Sequence, residues 1–266
     1  MEPVDALLEA LRDPDQRVGF LTGAGISVAS GIPTFRGNDP GAVWANDVME
    51  KGTRRYFERD PVGSWTWYLG RFDKVWQVGP NAAHHACRAL EERCGIWLVT
   101  QNIDGLHQAA GSTDCIAIHG SAHAVRCSRV GCEHGAPRGT LAWPTEAFDA
   151  FRADPSEARL PTCPSCGALL RAHVLWFDET YGEHEGYGFR RFQEELPTIT
   201  TLVFVGTSFS VGITEMALSH VVFGGCQGLV VDPFLDRAPH PRLGLIRERS
   251  ETFLPSIVRQ VLPLNE

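Results

Sequence analysis

Lysine is almost missing from this 266-residue chain: Lys51 and Lys74 are the only two, and arginine carries nearly all of the positive charge. That bias reads as genome composition and says little about chemistry. Positive charge is not in excess either. The formal net charge is −8, so the basic face of a nucleic-acid platform is not expected, while a protein substrate with local positive charge stays compatible. No stretch approaches the roughly 18 apolar residues of a membrane helix. The first residues, MEPVDALLEALRDP, lack the basic start and apolar run of a secretory signal. A cytoplasmic location without membrane contact is therefore expected. No internal repeat or low-complexity tract stands out.

What is present is ordinary globular composition, 43% hydrophobic and 21% charged, long enough for one large core plus a small module. Val4, Leu7, Leu8 and Leu11 are spaced for one buried helix face that Asp13-Pro14 ends. Val18 to Thr22 reads as a short buried strand stopping at a glycine-rich loop. Further short apolar runs with β-branched residues lie at 96–99, 116–118, 202–205 and 229–231, with helical patterns between them, as at 215–223. This alternation predicts an α/β fold with a doubly wound, Rossmann-like parallel sheet. Two stretches break it. Residues 37–80 are tryptophan-rich and loop-like at the start, and residues 127–166 are bounded by cysteines. The expected division is a nucleotide domain of residues 1–36, 81–126 and 167–266, a cofactor-loop and helical insertion at 37–80, and a metal module at 127–166.

The chemistry-bearing residues sit where predicted strands end. Gly23-Ala24-Gly25-Ile26-Ser27 follows the first strand, and a G-x-G turn there lets the backbone approach a pyrophosphate. Without a ligand it is equally a tight strand-to-helix turn. Ile32-Pro33-Thr34-Phe35-Arg36 then sets an aromatic and a cation on the next loop. Gln101, Asn102 and Asp104 crowd the end of the second strand, Ile118-His119-Gly120 the third, and Gly206-Thr207-Ser208 the fourth. Histidine suits general-base work because its ordinary pKa lies near cellular pH. In a reducing compartment eight cysteines do not predict a disulfide framework. Cys127 and Cys132, followed by Cys163-Pro164-Ser165-Cys166-Gly167, bring four thiolates to one tetrahedral ion, the closed set of a structural zinc site. His134 is a possible substitute ligand. Cys87, Cys94, Cys115 and Cys226 read as packing residues.

Together GAGISVASGIPTFRG (Gly23–Gly37), TQNIDGLH (Thr100–His107), the His-Gly pair, Gly-Thr-Ser and the two cysteine pairs resemble the sirtuins, over nearly the whole chain. The resemblance implies an enzyme that removes acyl groups from protein lysine and consumes NAD as co-substrate. It assigns Gly23, Ala24, Gly25, Ser27, Pro33, Phe35 and Arg36 to NAD. It gives the nicotinamide end to Gln101, Asn102, Ile103 and Asp104, the phosphates and ribose to Gly206, Thr207 and Ser208, and catalysis to His119 with Asn102. In that chemistry the acyl oxygen attacks the ribose carbon as nicotinamide leaves, His119 takes a ribose hydroxyl proton, and water releases lysine and acylated ADP-ribose. Val174-Leu175-Trp176-Phe177 resembles the segment along which the substrate peptide adds as a strand. Three residues depart from the pattern. Ala172 stands for a proline, which is expected to loosen the loop. Asp178 stands for a glycine, which is expected to add charge to the groove. Asp232 stands for an asparagine, and with Ser250 it is expected at the adenosine end. Tyr68 and Arg71 match the Tyr-x-x-Arg pair of desuccinylase-like sirtuins, which binds the carboxylate of a succinyl or malonyl group, although Gly70 weakens the helix. The same residues leave open NAD hydrolysis, ADP-ribosyl transfer to protein, or a non-catalytic NAD or ADP-ribose sensor.

Overall fold

A computed structural model describes residues 2–34 and 48–262. Nine strands and ten α-helices follow in chain order among them. The strands are β1 Val18–Thr22, β2 Trp97–Thr100, β3 Cys115–Ala117, β4 Gly120–Cys127, β5 Leu141–Ala142, β6 Leu170–Val174, β7 Thr201–Val205, β8 Gln227–Val231 and β9 Leu243–Ile246. The helices are α1 Pro3–Arg12, α2 Val48–Lys51, α3 Arg54–Arg59, α4 Pro61–Trp76, α5 Ala82–Cys94, α6 Leu106–Ala109, α7 Thr145–Ala153, α8 Phe189–Glu195, α9 Gly212–Phe223 and α10 Ser250–Val261.

Six strands form one all-parallel sheet in the order β3-β2-β1-β7-β8-β9. A parallel sheet needs both faces covered, and successive residues supply both. Phe20, Val203 and Val205 pack on one side with Leu7, Leu11, Leu90, Phe253 and Ile257 of α1, α5 and α10. Leu21, Leu202 and Phe204 pack on the other with Phe192, Ile213 and Val221 of α8 and α9. Helix starts are locally encoded. Asn81 opens α5 with a reciprocal capping box in which its side chain accepts from the Ala83 amide at 2.9 Å and His84 Nδ1 accepts from the Asn81 amide at 3.2 Å.

The sequence pattern shows no strand beyond 229–231, yet the sheet continues. The sixth strand, β9, pairs with β8 from Gly228↔Leu243 to Val231↔Ile246. It was hidden behind Pro233, Pro239 and Pro241 and is interrupted by Gly244.

A second, antiparallel sheet, β5-β4-β6, packs with α3, α4 and α7 around an aromatic core. Trp65 lies edge-on to Phe148 at 4.5 Å and donates its indole N–H to the Leu170 carbonyl at 2.9 Å. Trp143 stacks on Phe148 at 4.1 Å. The buried face of Trp65, Tyr68, Leu69 and Phe72 carries α4 unbroken through Gly70, whose Cα faces open space. Boundaries drawn at 126 and 167 cut through this sheet, since β4 and β6 bond each other and not the parallel sheet. We therefore propose that the small module takes in residues 120–126 and 170–174 as well. No helix among the described residues is long and apolar enough to cross a membrane.

Candidate active site

The glycine turn hangs from the neighbouring strand. Gly23 donates its amide to the Val205 carbonyl and Gly25 to the Gly206 carbonyl, each at 2.9 Å. A Cβ on Gly25 would lie 2.5 Å from the Gly206 Cα, so glycine is required there by the meeting of two loops. Ala24 opens a 3₁₀ turn, Ala24–Ser30, that buries Ser27. The contact brings Gly206 and Thr207 beside the turn, at the C-terminal ends of β1, β2 and β7, where open α/β sheets bind ligands.

One hydrogen-bond network joins these ends. Ser27 donates to Asp104 Oδ2 at 2.7 Å, and Asn102 Nδ2 donates to Ser27 Oγ at 3.1 Å and to the Gly23 carbonyl at 3.2 Å. Gln101 Nε2 donates to Thr207 Oγ1 at 3.0 Å. Burial pushes the Asp104 carboxyl up, while the Leu106 amide and Ser27 bond its charged form. Ile103 follows Asn102, and its carbonyl accepts from the Ala122 amide at 2.8 Å. Ser208 Oγ lies 2.6 Å from Ser210 Oγ. Asp232 and Ser250 follow β8 and β9 at the same end of the sheet. Asp232 Oδ1 accepts the Phe234 amide at 2.8 Å, and Ser250 is buried at the start of α10, against the glycine turn. Pro33 is half-buried beyond the turn. Phe35 and Arg36 lie outside the described residues.

His119 stands between β3 and β4. Its Nδ1 is 2.8 Å from the Gln101 carbonyl, which can only accept, so Nδ1 carries the proton and Nε2 presents a lone pair. Burial lowers its pKa to about 4, against the bond to Gln101, so the ring is neutral and able to take a proton at cellular pH. The Nε2 atom lies 3.2 Å from the Tyr181 hydroxyl. The next residue, Gly120, has φ 86° and a Cβ there would meet the His173 carbonyl at 2.1 Å, so only glycine lets the chain turn from the base into β4. His107 and His123 are used elsewhere. His107 Nε2 meets Thr22 Oγ1 at 3.0 Å, and His123 Nε2 donates to the Asp104 carbonyl at 2.9 Å.

The segment after β6 runs alongside His119, with the Leu175 amide on the His119 carbonyl at 2.9 Å and the Phe177 amide on the Gly52 carbonyl at 3.0 Å. Val174 and Trp176 are buried and Phe177 is 42% exposed. One expectation fails here. Ala172 does not loosen the loop, because it lies inside β6, opposite Val125. Asp178 is exposed, and its two oxygens accept the Arg54 and Arg55 amides at 2.7 and 3.2 Å, so its added charge also caps a helix. Next to it Glu179, its side chain fully buried, binds three guanidiniums: Arg171 at 3.0 Å, Arg54 at 2.8 Å and Arg126 at 3.4 Å. Burial alone would raise its pKa, but Arg171, Arg54 and the Trp176 amide hold it down at about 2. The resemblance of the segment Val174 to Glu179, with Arg171 before it, takes in two members of this hub without giving either a role, and nothing in the sequence pattern marks Tyr181.

Tyr68 is buried among Trp65, Trp67 and Phe72. Burial pushes its phenol strongly up, and the charges that bear on it are those of Arg171 and Glu179. The Arg71 guanidinium lies over the Trp67 ring, 4.1 Å from its centre.

Cys127, Cys132, Cys163 and Cys166 converge, all Sγ atoms within 4.8 Å of one another. Two of the separations are 3.4 Å (Cys127–Cys166) and 3.7 Å (Cys132–Cys163). Tetrahedral zinc with bonds of about 2.3 Å needs edges of roughly 3.8 Å, so the donor set fits that ion. Turns set it up: the Cys127 amide bonds the His134 carbonyl, and the Gly167 amide closes on the Cys163 carbonyl at 2.9 Å. The His134 ring faces Glu133 at 3.7 Å and is outside the thiol group.

The Sir2 family profile matches residues 23–212, most of the chain and every loop just described except those after β8 and β9. The chain belongs to the Sir2 family. Among curated sirtuins it is 37% identical over 254 residues to "NAD-dependent protein deacylase 1" of Pseudomonas aeruginosa, covering 93% of this chain and 95% of that one. An "NAD-dependent protein deacylase" of Mycolicibacterium paratuberculosis is 33% identical over 250 residues, covering 92% and 98%. Among solved structures a Sir2 homologue mutant–ADP-ribose complex superposes with a TM-score of 0.79 at 30% identity, covering 98% of this chain and 99% of that one. A Sir2 homologue–NAD complex gives 0.76 at 31% identity, covering 97% and 93%.

Proposed function

We infer that the protein is an NAD-dependent protein-lysine deacylase, with NAD consumed as co-substrate and one structural zinc in the small module. The observation that carries this reading is His119: a neutral imidazole with its Nδ1 tied to Gln101 and its Nε2 lone pair 3.2 Å from the Tyr181 hydroxyl, on a residue whose carbonyl takes the Leu175 amide. Bound NAD supplies a ribose carbon with a leaving group and a ribose hydroxyl. The Nε2 atom receives the proton of that hydroxyl, a step worth roughly 10²–10⁴ in rate. Gly23, Ala24, Gly25, Thr207 and Ser208 would hold the phosphates and ribose, with Pro33 beyond the turn. Gln101, Asn102, Asp104 and the Ile103 backbone would hold the nicotinamide end, with Gln101 and Asn102 on the ribose side. Asp232 and Ser250 take the adenosine end. Val174 to Phe177 hold the acyl-lysine peptide, and the four cysteines hold the zinc.

The finer reading is a preference for succinyl or malonyl over acetyl. Tyr68 and Arg71 share one face of α4 by their spacing, and Arg171 adds positive charge on the Tyr68 side. To share a carboxylate with Tyr68, Arg71 has to leave the Trp67 ring.

The test is nicotinamide release from NAD with no peptide, an acetyl-lysine peptide and a succinyl-lysine peptide, for the wild type and Arg71→Met. Release that needs peptide and is fastest with succinyl, with that advantage lost in Arg71→Met, is expected. An acetyl preference keeps the deacylase and removes the acidic pocket. Equal release in all three tubes makes the protein an NAD hydrolase, and no release makes it a sensor.

A further inference from the structure

Tyr181 has no part in the assignments above, yet its hydroxyl is 3.2 Å from Nε2 of His119, the atom on which the proposed chemistry turns. The rings are nearly parallel, 22° apart with centres at 5.8 Å. The far face of Tyr181 stacks on Phe189 at 5.1 Å. Its short turn is fixed at both ends: Thr180 and Glu183 cap each other, and Glu183 pairs with Arg54, which is also bound to Glu179.

The direction of the hydrogen bond follows from its surroundings. Nδ1 of His119 carries the ring proton because the Gln101 carbonyl cannot donate. The neutral ring therefore accepts at Nε2. The phenol is the one group of the pair left with a hydrogen to give, so the Tyr181 O–H donates to Nε2.

We propose that Tyr181 is a positioning residue for His119: its O–H donates to Nε2, fixes the ring plane and tautomer in the free enzyme, and yields that place to a ribose hydroxyl. This rests on the deacylase reading for its catalytic consequence but not for its geometry. Among the described residues the groups bearing on His119 are the Gln101 carbonyl and Tyr181, and Glu215 of α9 bears on Tyr181 in turn. A donor on Nε2 favours the unprotonated ring. Removing it raises the imidazole pKa, with no other charged group among those named to offset the change.

The experiment is Tyr181→Phe, which keeps the stack on Phe189 and deletes only the hydroxyl. The His119 titration, followed by the NMR shift of its ring proton, is expected to move up by about half a unit to one unit. This readout needs no substrate, so it stands even if the protein releases no nicotinamide from any peptide, the result that would instead sink the deacylase reading. In the active enzyme kcat/KM is expected to fall about tenfold at pH 7.5 and its acid limb to move to higher pH, while kcat, set in the complex where the ribose hydroxyl has taken the place of Tyr181, changes less. Combined with His119→Ala, the substitution is expected to cost nothing further, because Tyr181 acts through the ring. A titration that stays put or moves down, or an equal loss in the His119→Ala background, overturns the proposal and leaves Tyr181 as packing.

Discussion

Asp178 accepts the amide hydrogen of Arg54 at 2.7 Å, so a residue of the proposed peptide groove caps the helix that stands beside it. The same carboxylate takes the Arg55 amide, and Thr53 Oγ1 takes the Tyr56 amide at 3.1 Å. Three of the four free amides at the start of α3 are thus met. Asp178→Gly, the residue usual in the family, is expected to lower stability by about 1 kcal/mol. It is also expected to raise KM for the peptide more than KM for NAD, because the Phe177–Gly52 contact loses its neighbour. Asp178→Asn, which keeps one acceptor, should fall between. Equal changes in both KM values would show that the cap does not shape the groove.

Glu179 answers three guanidiniums with one carboxylate. Glu179→Gln keeps the shape and removes the charge, leaving Arg126 and Arg171 buried without it. Breaking such a pair costs about 3–5 kcal/mol, measurable as a lower urea midpoint. Adding Arg126→Met should restore part of the loss, since the Arg126 guanidinium is itself almost wholly buried. No recovery in the double variant would place the loss elsewhere.

Histidines kept neutral by burial set the acid limit of stability. Burial first, helped for most of them by neighbouring rings or guanidiniums, lowers His84 and His119 to about 4, His107 and His173 to about 3, and His184 below its ordinary value. Unfolded, each takes its proton near 6.5. Between those values the unfolded chain holds more protons, so stability is complete above about pH 6.5 and drains as pH falls, by up to about 1.4 kcal/mol per pH unit for each ring. Glu179 does not confuse this window, because its contribution is lost only between its ordinary pKa and about 2. Urea midpoints should be level from pH 8 to 7 and fall steadily from 6.5 to 5. A flat profile down to pH 5 would contradict the burial of these rings.

Removal of zinc should loosen the small module. Cys127 and Cys163 belong to the same core as Trp65, and Cys132, Cys166 and Trp143 pack against it, so chelation is expected to weaken the near-ultraviolet signal of Trp65 and Trp143. One zinc per chain by elemental analysis, lost in Cys163→Ser, is the matching result. A chain purified without zinc that keeps this signal would count against it.

What could be read from the sequence was what is local. The first strand, the cysteine pairs and the loop ends each lie within about ten residues. The antiparallel sheet gave no such signal, because β4 reads Gly-Ser-Ala-His-Ala-Val-Arg-Cys, with small and polar residues where a strand pattern looks for large apolar ones. The contacts that complete the site join distant parts of the chain. Tyr181 is 62 residues from His119, and Glu179 is 125 residues from Arg54. Around Tyr181 the sequence reads as a polar turn, and only packing against Phe189 and α9 brings the phenol to the base.

The placing of β1 has a consequence for how the molecule is made. This strand is the first to leave the ribosome, yet it lies inside the sheet, between β2 and β7. Its partners come 78 and 183 residues later. At about 5–20 residues per second, the second of these is synthesised roughly 10–40 s after β1. Until then Gly23 has no Val205 carbonyl to bond and Gly25 no Gly206. The nucleotide turn is thus among the last parts of the molecule to be completed, although its residues are among the first to be made.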